Sequence, residues 1–408
     1  MINVQDVKKN FPIFKHHPDL IYFDSASTSL KPKTVIGAEK EYLEQYSANV
    51  GRGLYPLAEK ATEKFEAARE KVACYIKATD SKEIIFTAGT TSSINLVAGL
   101  LSHMVNDGDN IVTTIIEHHS NFLPWKELAK QKSAKLRIVN ITQEGELDME
   151  MLKKTIDART KIVAFSAISN VLGIINPVEK MIAAVKNINP QTLVLVDAAQ
   201  AVGALPVDVI KWDADFVACS AHKIFGPTGI GILYGKSGIL ETLSPVTFGG
   251  GMVSETSAQH QVYEKIPTRF EAGTPNIAGA IAFARALDYI ESIGLAKIRL
   301  HEKTLTAHAM KRLNAAFGNA INILGPTDPQ KRGGIISFSF AGIHPHDIAH
   351  LLGEENICVR AGHHCAAPLH QALGIDATTR ISFSIYNSEE EIDKFIEALQ
   401  QVKQKLKI

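Results

Sequence analysis

Residues 192–223 read TLVLVDAAQAVGALPVDVIKWDADFVACSAHK and contain two copies of the pattern that decides the fold. Two short apolar runs, Thr192–Val196 and Phe216–Cys219, each end in polar residues. The same order of strand, loop and helix or turn recurs upstream at Glu83–Phe86, Asn110–Ile116 and Lys161–Ala167. Such alternation predicts an α/β fold, with a doubly wound, mostly parallel sheet that carries helices on both faces.

Polar side chains gather at the predicted carboxyl ends of these strands. In an open α/β sheet, ligands bind in the crevice beyond those ends. The residues at these positions are Thr90, Thr91, His118, Asn170, Asp197, His222 and Lys223. The sequence therefore predicts that these side chains converge on one site for a small molecule.

The last third of the chain has a different pattern. A length of 408 residues exceeds what one hydrophobic core usually organises. After long helical segments from about Asn276, strands and a closing helix are predicted at Gly334–Phe340, Ile357–Arg360, Arg380–Ile385 and from Ser388. We therefore predict a large domain at residues 26–284 and a smaller α+β domain formed by residues 1–25 and 285–408.

Composition and charge argue against several classes of partner. Hydrophobic residues make up 45% of the chain and charged residues 21%, which is ordinary for a globular protein. Lys plus Arg and Asp plus Glu both number 43 without long blocks of one sign, so no nucleic-acid or membrane partner is expected. The first residues lack the apolar core of a signal peptide. The expected location is the cytoplasm.

Lys223 lies in the motif SAHKIFGPTGIG at residues 220–231, directly after a predicted strand. A lysine can hold pyridoxal phosphate as a Schiff base where its surroundings favour the neutral, nucleophilic amine. Desolvation at a strand end would favour it, and the glycines that follow allow close backbone approach beside a bulky cofactor. Taken alone, the motif fits a surface lysine in a glycine-rich loop better.

Two further strand ends favour a pyridoxal cofactor. Asp197 closes the apolar run LVLV, where a carboxylate needs a partner such as a protonated pyridinium nitrogen. Gly89, Thr90 and Thr91 open a helical pattern, and its free amide groups and hydroxyls could hold a phosphate. The alternatives are that Asp197 caps the next helix and that the threonines are ordinary helix caps.

His118 can cover a planar cofactor by stacking and can exchange protons near neutral pH. A metal site shared with His119 is the alternative. Adjacent residues on an extended strand point to opposite faces, so the two histidines are not expected to share one ion. The same objection weakens a zinc site at His363, His364 and Cys365.

The four cysteines follow no CxxC spacing, so thiols are expected rather than metal ligands or disulfides. Cys365 lies in VRAGHHCAAPL at residues 359–369, a polar loop that suits a reactive thiol. Cys74, Cys219 and Cys358 each stand among apolar residues, which predicts packing in the core.

Six ordered motifs resemble one family, namely SAHKIFGPTGIGILYG, DAAQ, SNVLG, EHHSN, RFEAGTPN and VRAGHHCAAPL. They are similar to those of the SufS-type (group II) cysteine desulfurases, which belong to the class V aminotransferase fold family. The resemblance runs from FDSASTSLKP to RISFSIYN and so covers nearly the whole chain. It implies the pyridoxal phosphate-dependent transferase fold, fold type I.

The resemblance implies how the cofactor would be held. Lys223 would form the Schiff base with pyridoxal 5'-phosphate, Asp197 would meet the pyridinium nitrogen, and His118 would stack on the ring. The other expected contacts, to the ring oxygen and the phosphate, come from Asn170, Gln200, Thr90, Thr91, Ser220 and His222. Thr274 of GTPN would reach the phosphate of the other subunit, which makes a homodimer part of the site.

The resemblance also implies a reaction. Arg380 and Asn170 would bind the substrate, L-cysteine would become L-alanine, and Cys365 would keep the sulfur as a persulfide. A SufE- or SufU-like protein would accept that sulfur for iron–sulfur cluster assembly, and GIHPHDIAHLL at residues 342–352 is similar to the SufU-partnered members.

The sequence departs from the family pattern at a few positions, and other activities stay open. Gly51, Tyr55 and Ala167 stand where histidine is common, and SAHK and DAAQ carry alanine for the usual glycine. These changes bear on substrate choice and proton relays more than on the cofactor. The alternatives are a selenocysteine lyase, a cysteine sulfinate desulfinase, another pyridoxal enzyme such as an aminotransferase, or a silent thiol sensor with the same fold.

Overall fold

Buried apolar strands form the centre of the computed structural model, which describes residues 2–406. The strands, numbered along the chain, are β1 (Ile21–Tyr22), β2 (Ile84–Thr87), β3 (Asn110–Thr114), β4 (Lys135–Val139), β5 (Thr160–Ser166), β6 (Leu193–Asp197), β7 (Phe216–Ser220), β8 (Gly231–Gly235), β9 (Val253–Thr256), β10 (Gln261–Tyr263), β11 (Ile321–Ile323), β12 (Ile335–Phe340), β13 (Ile357–Cys358), β14 (Arg360–Gly362) and β15 (Thr378–Ser382). Most of the predicted strands are present with ends shifted by one or a few residues.

The helices alternate with the strands of the middle region and dominate the ends of the chain. They are α1 (Val4–Lys8), α2 (Ile13–His16), α3 (Lys33–Gln45), α4 (Pro56–Tyr75), α5 (Thr90–Leu100), α6 (Leu123–Gln131), α7 (Met149–Thr155), α8 (Val178–Ile188), α9 (Val209–Trp212), α10 (Ser237–Leu240), α11 (Ile277–Ile293), α12 (Leu295–Phe317), α13 (Pro345–Glu354), α14 (Ala367–Leu373) and α15 (Glu389–Lys405). The closing helix α15 starts where the sequence predicted it, because Ser388 and Glu391 form a capping box. None of the helices within residues 2–406 has the length and apolar character needed to cross a membrane.

The central sheet has seven strands in the order β2-β8-β7-β6-β5-β3-β4. The pairs from β7 through β4 are parallel, and β8 runs antiparallel to both of its neighbours, β2 and β7. The predicted α/β class with a mostly parallel sheet is confirmed. Because β2 therefore runs in the same direction as β7, the carboxyl ends of β2, β3, β5, β6 and β7 share one edge.

Strand β8 is not among the strands that the sequence predicted, and its first residue, Gly231, is the last glycine of the motif SAHKIFGPTGIG. Its apolar residues are fully buried between β2 and β7. A Cβ atom at Gly231 would lie 2.4 Å from the carbonyl oxygen of Cys219 and 2.6 Å from the Cα of Gly89. Glycine is therefore needed at Gly231 because two backbones pass close to it, and not only because the chain turns.

Hydrophobic side chains cover both faces of the central sheet. Val112 and Val163 belong to one buried cluster, whereas their strand neighbours Ile111 and Ile162 belong to another. The alternation follows from the two-residue period of a strand. Helix α8 packs in the first cluster, and helices α5 and α6 pack in the second, so the sheet is covered on both sides.

A second, antiparallel sheet has the order β11-β12-β15-β14. Helices α12, α13 and α15 pack with it around a separate hydrophobic cluster. The predicted strand Ile357–Arg360 is two strands here, because β13 pairs with β1 near the amino terminus and β14 pairs with β15. This sheet carries Cys365 just beyond β14 and Arg380 within β15. The domain boundaries predicted at residues 25/26 and 284/285 stay predictions.

The cysteines outside the Cys365 loop lie in different environments. Cys219 in β7 is buried and Cys358 in β13 is partly buried, whereas Cys74 is exposed. Core packing was therefore a wrong prediction for Cys74. On helix α4 the buried side chains include Val72 and Ala73, and Cys74 lies on the outer side of the same turn.

Helix α12 buries a carboxyl group, that of Glu302, which is only 8% exposed. Within residues 2–406 its Oε2 has no hydrogen-bond partner, and the side chain lines a cavity of about 50 Å³ that also contacts Lys223. Burial raises the pKa of Glu302 from 4.5 to about 8, and Arg299 opposes this shift. The folded protein therefore keeps this carboxyl protonated at neutral pH.

We expect Glu302→Gln to stabilise the protein increasingly as the pH rises. Between pH 4.5 and about 8 the carboxyl ionises in the unfolded chain but stays protonated in the folded one, so rising pH favours unfolding. A neutral amide removes this pH-dependent loss of folding stability. The loss is on the order of a few kcal/mol once the pH exceeds both pKa values. Urea unfolding at several pH values measures it. Glu397→Gln, at an exposed position of helix α15, is the control. A Glu302→Gln effect independent of pH would contradict the prediction.

Candidate active site

The carboxyl edge of the central sheet meets the second sheet at a cavity of about 240 Å³. Most of the residues predicted for the site line it, namely Thr90, Thr91, His118, Asn170, Asp197, Ser220, His222, Lys223, Cys365 and Arg380. Ala26, Ser27, Ser120, Ala199, Arg360 and His364 complete the lining. The strand ends therefore converge as the α/β pattern predicts.

Lys223 is half-buried in a short 3₁₀ turn that follows β7. The carbonyl of the preceding residue, His222, accepts hydrogen bonds from the Ser29 amide at 2.9 Å and the Thr28 hydroxyl at 3.1 Å. Desolvation lowers the pKa of Lys223 to about 8, although the Asp197 carboxylate opposes this shift. A substantial share of the side chain is therefore neutral amine at slightly alkaline pH, which suits a nucleophile.

Asp197 ends β6 and is 6% exposed. Its Oδ1 accepts the Ala199 amide at 2.9 Å, and the carboxyl group borders the cavity. Burial raises the pKa of Asp197, and the Lys223 charge opposes this shift. A buried carboxylate beside a ligand cavity is stable only with a cationic or hydrogen-bonding partner, so its chemistry fits a protonated ring nitrogen.

Hydroxyl groups and a helix terminus form another part of the cavity wall. Gly89 has a φ of +144°, and helix α5 begins at the next residue. The Ser220 hydroxyl lies 2.7 Å from the Thr90 amide nitrogen, which donates to it, and 2.8 Å from the Thr90 hydroxyl. The Thr91 hydroxyl pairs with Ser120 at 2.7 Å. Clustered hydroxyls at the positive end of a helix suit a phosphate group.

Two histidines of the cavity are held neutral. Burial lowers the pKa of His118 to about 3 and that of His222 to about 4, and Lys223 lowers both further. The Nδ1 of His118 accepts the Ser120 amide at 3.1 Å. Because this nitrogen is an acceptor, the remaining ring proton of His118 is on Nε2.

Arg380 extends from the second sheet into the cavity and is 3% exposed. Its Nη1 donates to the Asn170 carbonyl at 3.0 Å, and its Nη2 donates to the Ser27 hydroxyl at 2.7 Å and to Asp24 at 3.2 Å. Among the described residues its Nε has no hydrogen-bond partner. An arginine fixed in this way beside a cavity suits a carboxylate ligand.

Sequence reasoning did not single out Asp24, Ser27 or Arg360. Asp24 contacts both Arg380 and Arg360, whose Nε lies 3.3 Å from Asp24 Oδ2. These residues stand within the motifs FDSASTSLKP and VRAGHHCAAPL. The available signal was therefore the presence of charged residues in two motifs that come from opposite ends of the chain.

Two predicted cofactor residues lie outside the main cavity. Gln200 lines the adjoining cavity that also contacts Lys223, and its Nε2 donates to the Ala26 carbonyl at 2.8 Å. Thr274 is exposed and lines a separate groove that includes Asn49 and Arg52. Their predicted roles toward the cofactor stay predictions.

Comparisons with known proteins find similarity to one family along nearly the whole chain. The family model for class-V aminotransferases matches residues 21–395. A probable cysteine desulfurase of Streptomyces coelicolor is 43% identical over 412 residues, which cover 99% of this chain and 98% of the relative. A probable cysteine desulfurase of Halalkalibacterium halodurans is 44% identical over 407 residues, which cover 99% and 98%.

Solved structures show the same similarity in three dimensions. The apo structure of a cysteine desulfurase from Thermococcus onnurineus NA1 matches with a TM-score of 0.94 and 41% identity, covering 99% of both chains. The S-sulfonic acid form of the cysteine desulfurase CsdA from Escherichia coli matches with a TM-score of 0.89 and 34% identity, again over 99% of both chains. The chain therefore belongs to the class-V aminotransferase family.

Proposed function

We propose that this enzyme is a cysteine desulfurase, which converts L-cysteine to L-alanine and keeps the sulfur as a persulfide on Cys365. The observation that carries the proposal is the meeting of an exposed thiol with Lys223 in one cavity. An aminotransferase needs the lysine but not the thiol. Relatives named as probable cysteine desulfurases, similar over 99% of the chain, support the same activity.

Pyridoxal phosphate is the cofactor of this family, as the sequence predicted. The cavity fits it on three counts: a buried carboxylate at Asp197, hydroxyls at a helix start beside Thr90 and Ser220, and a lysine amine of lowered pKa. When bound, the cofactor withdraws electrons from the α-carbon of an amino acid and so acidifies its α-proton. We propose that Lys223 is the residue that attaches it.

The proposed steps assign one task to each side chain. Arg380 holds the substrate carboxylate with its guanidinium group, and Asn170 lies next to it. The Lys223 amine then takes the α-proton. The Cys365 thiolate attacks the substrate sulfur, so that a sulfur–sulfur bond forms as the carbon–sulfur bond breaks. His118, half-buried beside Lys223, has a neutral ring whose Nε2 proton it can donate to the reacting groups.

The product balance needs no added oxidant. One thiol of Cys365 and one L-cysteine give one persulfide and one L-alanine, since the bonding electrons of the broken carbon–sulfur bond pass to the β-carbon with a proton. A thiol reductant or an acceptor protein must then remove the sulfur from Cys365.

We further propose a homodimer in which Thr274 of each subunit reaches the phosphate site of the other. In support, Thr274 is exposed and lies away from the cavity of its own chain. A SufE- or SufU-like protein as the sulfur acceptor, delivery to iron–sulfur cluster assembly and a cytoplasmic location are parts of the same proposal. The exposed position of Cys365 supports transfer to another protein.

Alanine release from three substrates tests the proposed activity. With L-cysteine, we expect sulfide and alanine in equal amounts when dithiothreitol is present, and little turnover without it, because sulfur would stay on Cys365. Selenocysteine and cysteine sulfinate are the comparison substrates. Rapid release from cysteine sulfinate or selenocysteine, with no sulfide from cysteine at saturating reductant, would contradict the proposal and favour one of the alternative activities.

A further inference from the structure

The loop that carries Cys365 has an unusual backbone. His364 and Cys365 have φ angles of 52° and 55°, and Gly362 has a φ of 118°. Left-handed conformations are disfavoured for residues with a Cβ atom, and two in succession are rarer still. Such a conformation persists only where surrounding contacts determine it. The question is which contacts hold this loop.

His119, the second histidine of EHHSN, contacts the loop at Cys365 and again two residues after it. The His119 amide donates to the Cys365 carbonyl at 2.6 Å. The Ala367 amide donates to Nε2 of the His119 ring at 3.1 Å. One residue therefore holds the backbone immediately after Cys365 with its main chain and the backbone two residues later with its side chain.

A third contact holds the peptide bond between the two left-handed residues, His364 and Cys365. The Asn170 side chain donates from Nδ2 to the His364 carbonyl at 2.8 Å. Asn170 follows β5 and His119 follows β3, so the central sheet holds a loop that belongs to the second sheet. Contacts between the two sheets therefore fix the position of the loop.

The ring contact requires one state of His119. Nε2 can accept the Ala367 amide only if it carries no proton, so the ring is neutral with its hydrogen on Nδ1. Burial lowers the pKa of His119, and the neighbouring His363 lowers it further. The surroundings therefore favour the state that the contact needs.

The turn that contains His119 is itself held by buried hydrogen bonds. Buried Glu117 accepts the Thr114 hydroxyl at 2.6 Å, the Ser166 amide at 3.0 Å and the Asn121 side chain at 2.6 Å. Trp125, fully buried, donates its indole N–H to Asn121 at 3.0 Å. The short turn that bears His119 is therefore fixed to the central sheet.

We propose that His119 is a positioning residue that holds the Cys365 loop in its sulfur-accepting conformation through the Ala367 amide. This role rests on the proposed function, since it explains how the thiol is placed. His119 does not line the cavity, so it acts through the loop and not on the substrate. A long amide side chain is expected to replace it, because the oxygen of glutamine can accept the same amide.

The test compares His119→Ala with His119→Gln in the cofactor-loaded enzyme. Iodoacetamide labelling of the Cys365 peptide, followed by mass spectrometry, reports loop position without any turnover. We expect His119→Ala to label several-fold faster than wild type and to lower kcat for cysteine about tenfold with KM within twofold. His119→Gln should return both values toward wild type, and the cofactor absorption spectrum should be unchanged in both variants.

His363→Ala is the matched control, because this exposed histidine lies in the same loop, two residues before Cys365, and its ring contacts His370. It should leave labelling and kcat near wild type. Unchanged labelling in His119→Ala would overturn the proposal, as would an equal loss of kcat in the alanine and glutamine variants. Failure of the wild type to release alanine would instead refute the proposed function, and the labelling comparison would still decide the role of His119.

Discussion

Replacing Lys223 with alanine is expected to lower alanine release from L-cysteine by about a thousandfold or more. The variant loses both the amine that attaches the cofactor and the base that takes the α-proton. The surrounding walls, including Asp197 and Ser220, stay in place. The variant should therefore bind pyridoxal phosphate without forming a Schiff base, which absorption spectroscopy before and after borohydride reduction would show.

Lys223→Arg is the matched control for this prediction. Arginine keeps a positive charge near Asp197 but cannot form a Schiff base at neutral pH. It should therefore be as inactive as Lys223→Ala while keeping the charge pair. Reduction of the wild type should fix the cofactor on the peptide that contains Lys223. Full activity in either variant, or labelling of another lysine, would contradict the assignment.

Replacing Cys365 with alanine is expected to lower sulfide and alanine production by a similar order, about a thousandfold. The thiol is the group to which the substrate sulfur is transferred, so its loss removes the acceptor of the broken bond. Cofactor binding should survive, because Cys365 lies in the loop after β14, whereas Asp197 ends β6 and Lys223 lies in the turn after β7. Initial rates and the absorption spectrum of the same preparation measure both effects.

Cys74→Ala is the control, because Cys74 is also exposed but does not line the cavity. Its activity should match that of the wild type. An unchanged rate in Cys365→Ala would favour an aminotransferase or another activity that needs no thiol. Loss of the cofactor in Cys365→Ala would show instead that the loop supports the cofactor site.

The part of the site that lies on the central sheet was predictable from the sequence. Asp197, Ser220 and Lys223 follow apolar runs, and parallel strands place their carboxyl ends at one edge. The pattern identifies such residues without any knowledge of distant contacts. Strand β8 was missed because its first residue, Gly231, closes a glycine-rich motif typical of a turn, whereas glycine is required there by the close approach of Cys219 and Gly89.

The part of the site that comes from the second sheet was harder to predict from the sequence. Asp24 meets Arg360 and Arg380 only because β1 pairs with β13 and β14 pairs with β15. No local periodicity reports such long-range pairing. The same reason hid the contact of His119 with Ala367, since the two residues are separated by 248 positions.

The central claim is that Cys365 accepts sulfur from L-cysteine. Mass spectrometry of the cofactor-loaded protein after brief incubation with L-cysteine, without reductant, tests it most directly. The account predicts that the peptide containing Cys365 gains the mass of one sulfur atom, that dithiothreitol removes it, and that the Cys74 peptide stays unmodified. Alanine formation without any added sulfur on the Cys365 peptide, or sulfur on another cysteine instead, would contradict it.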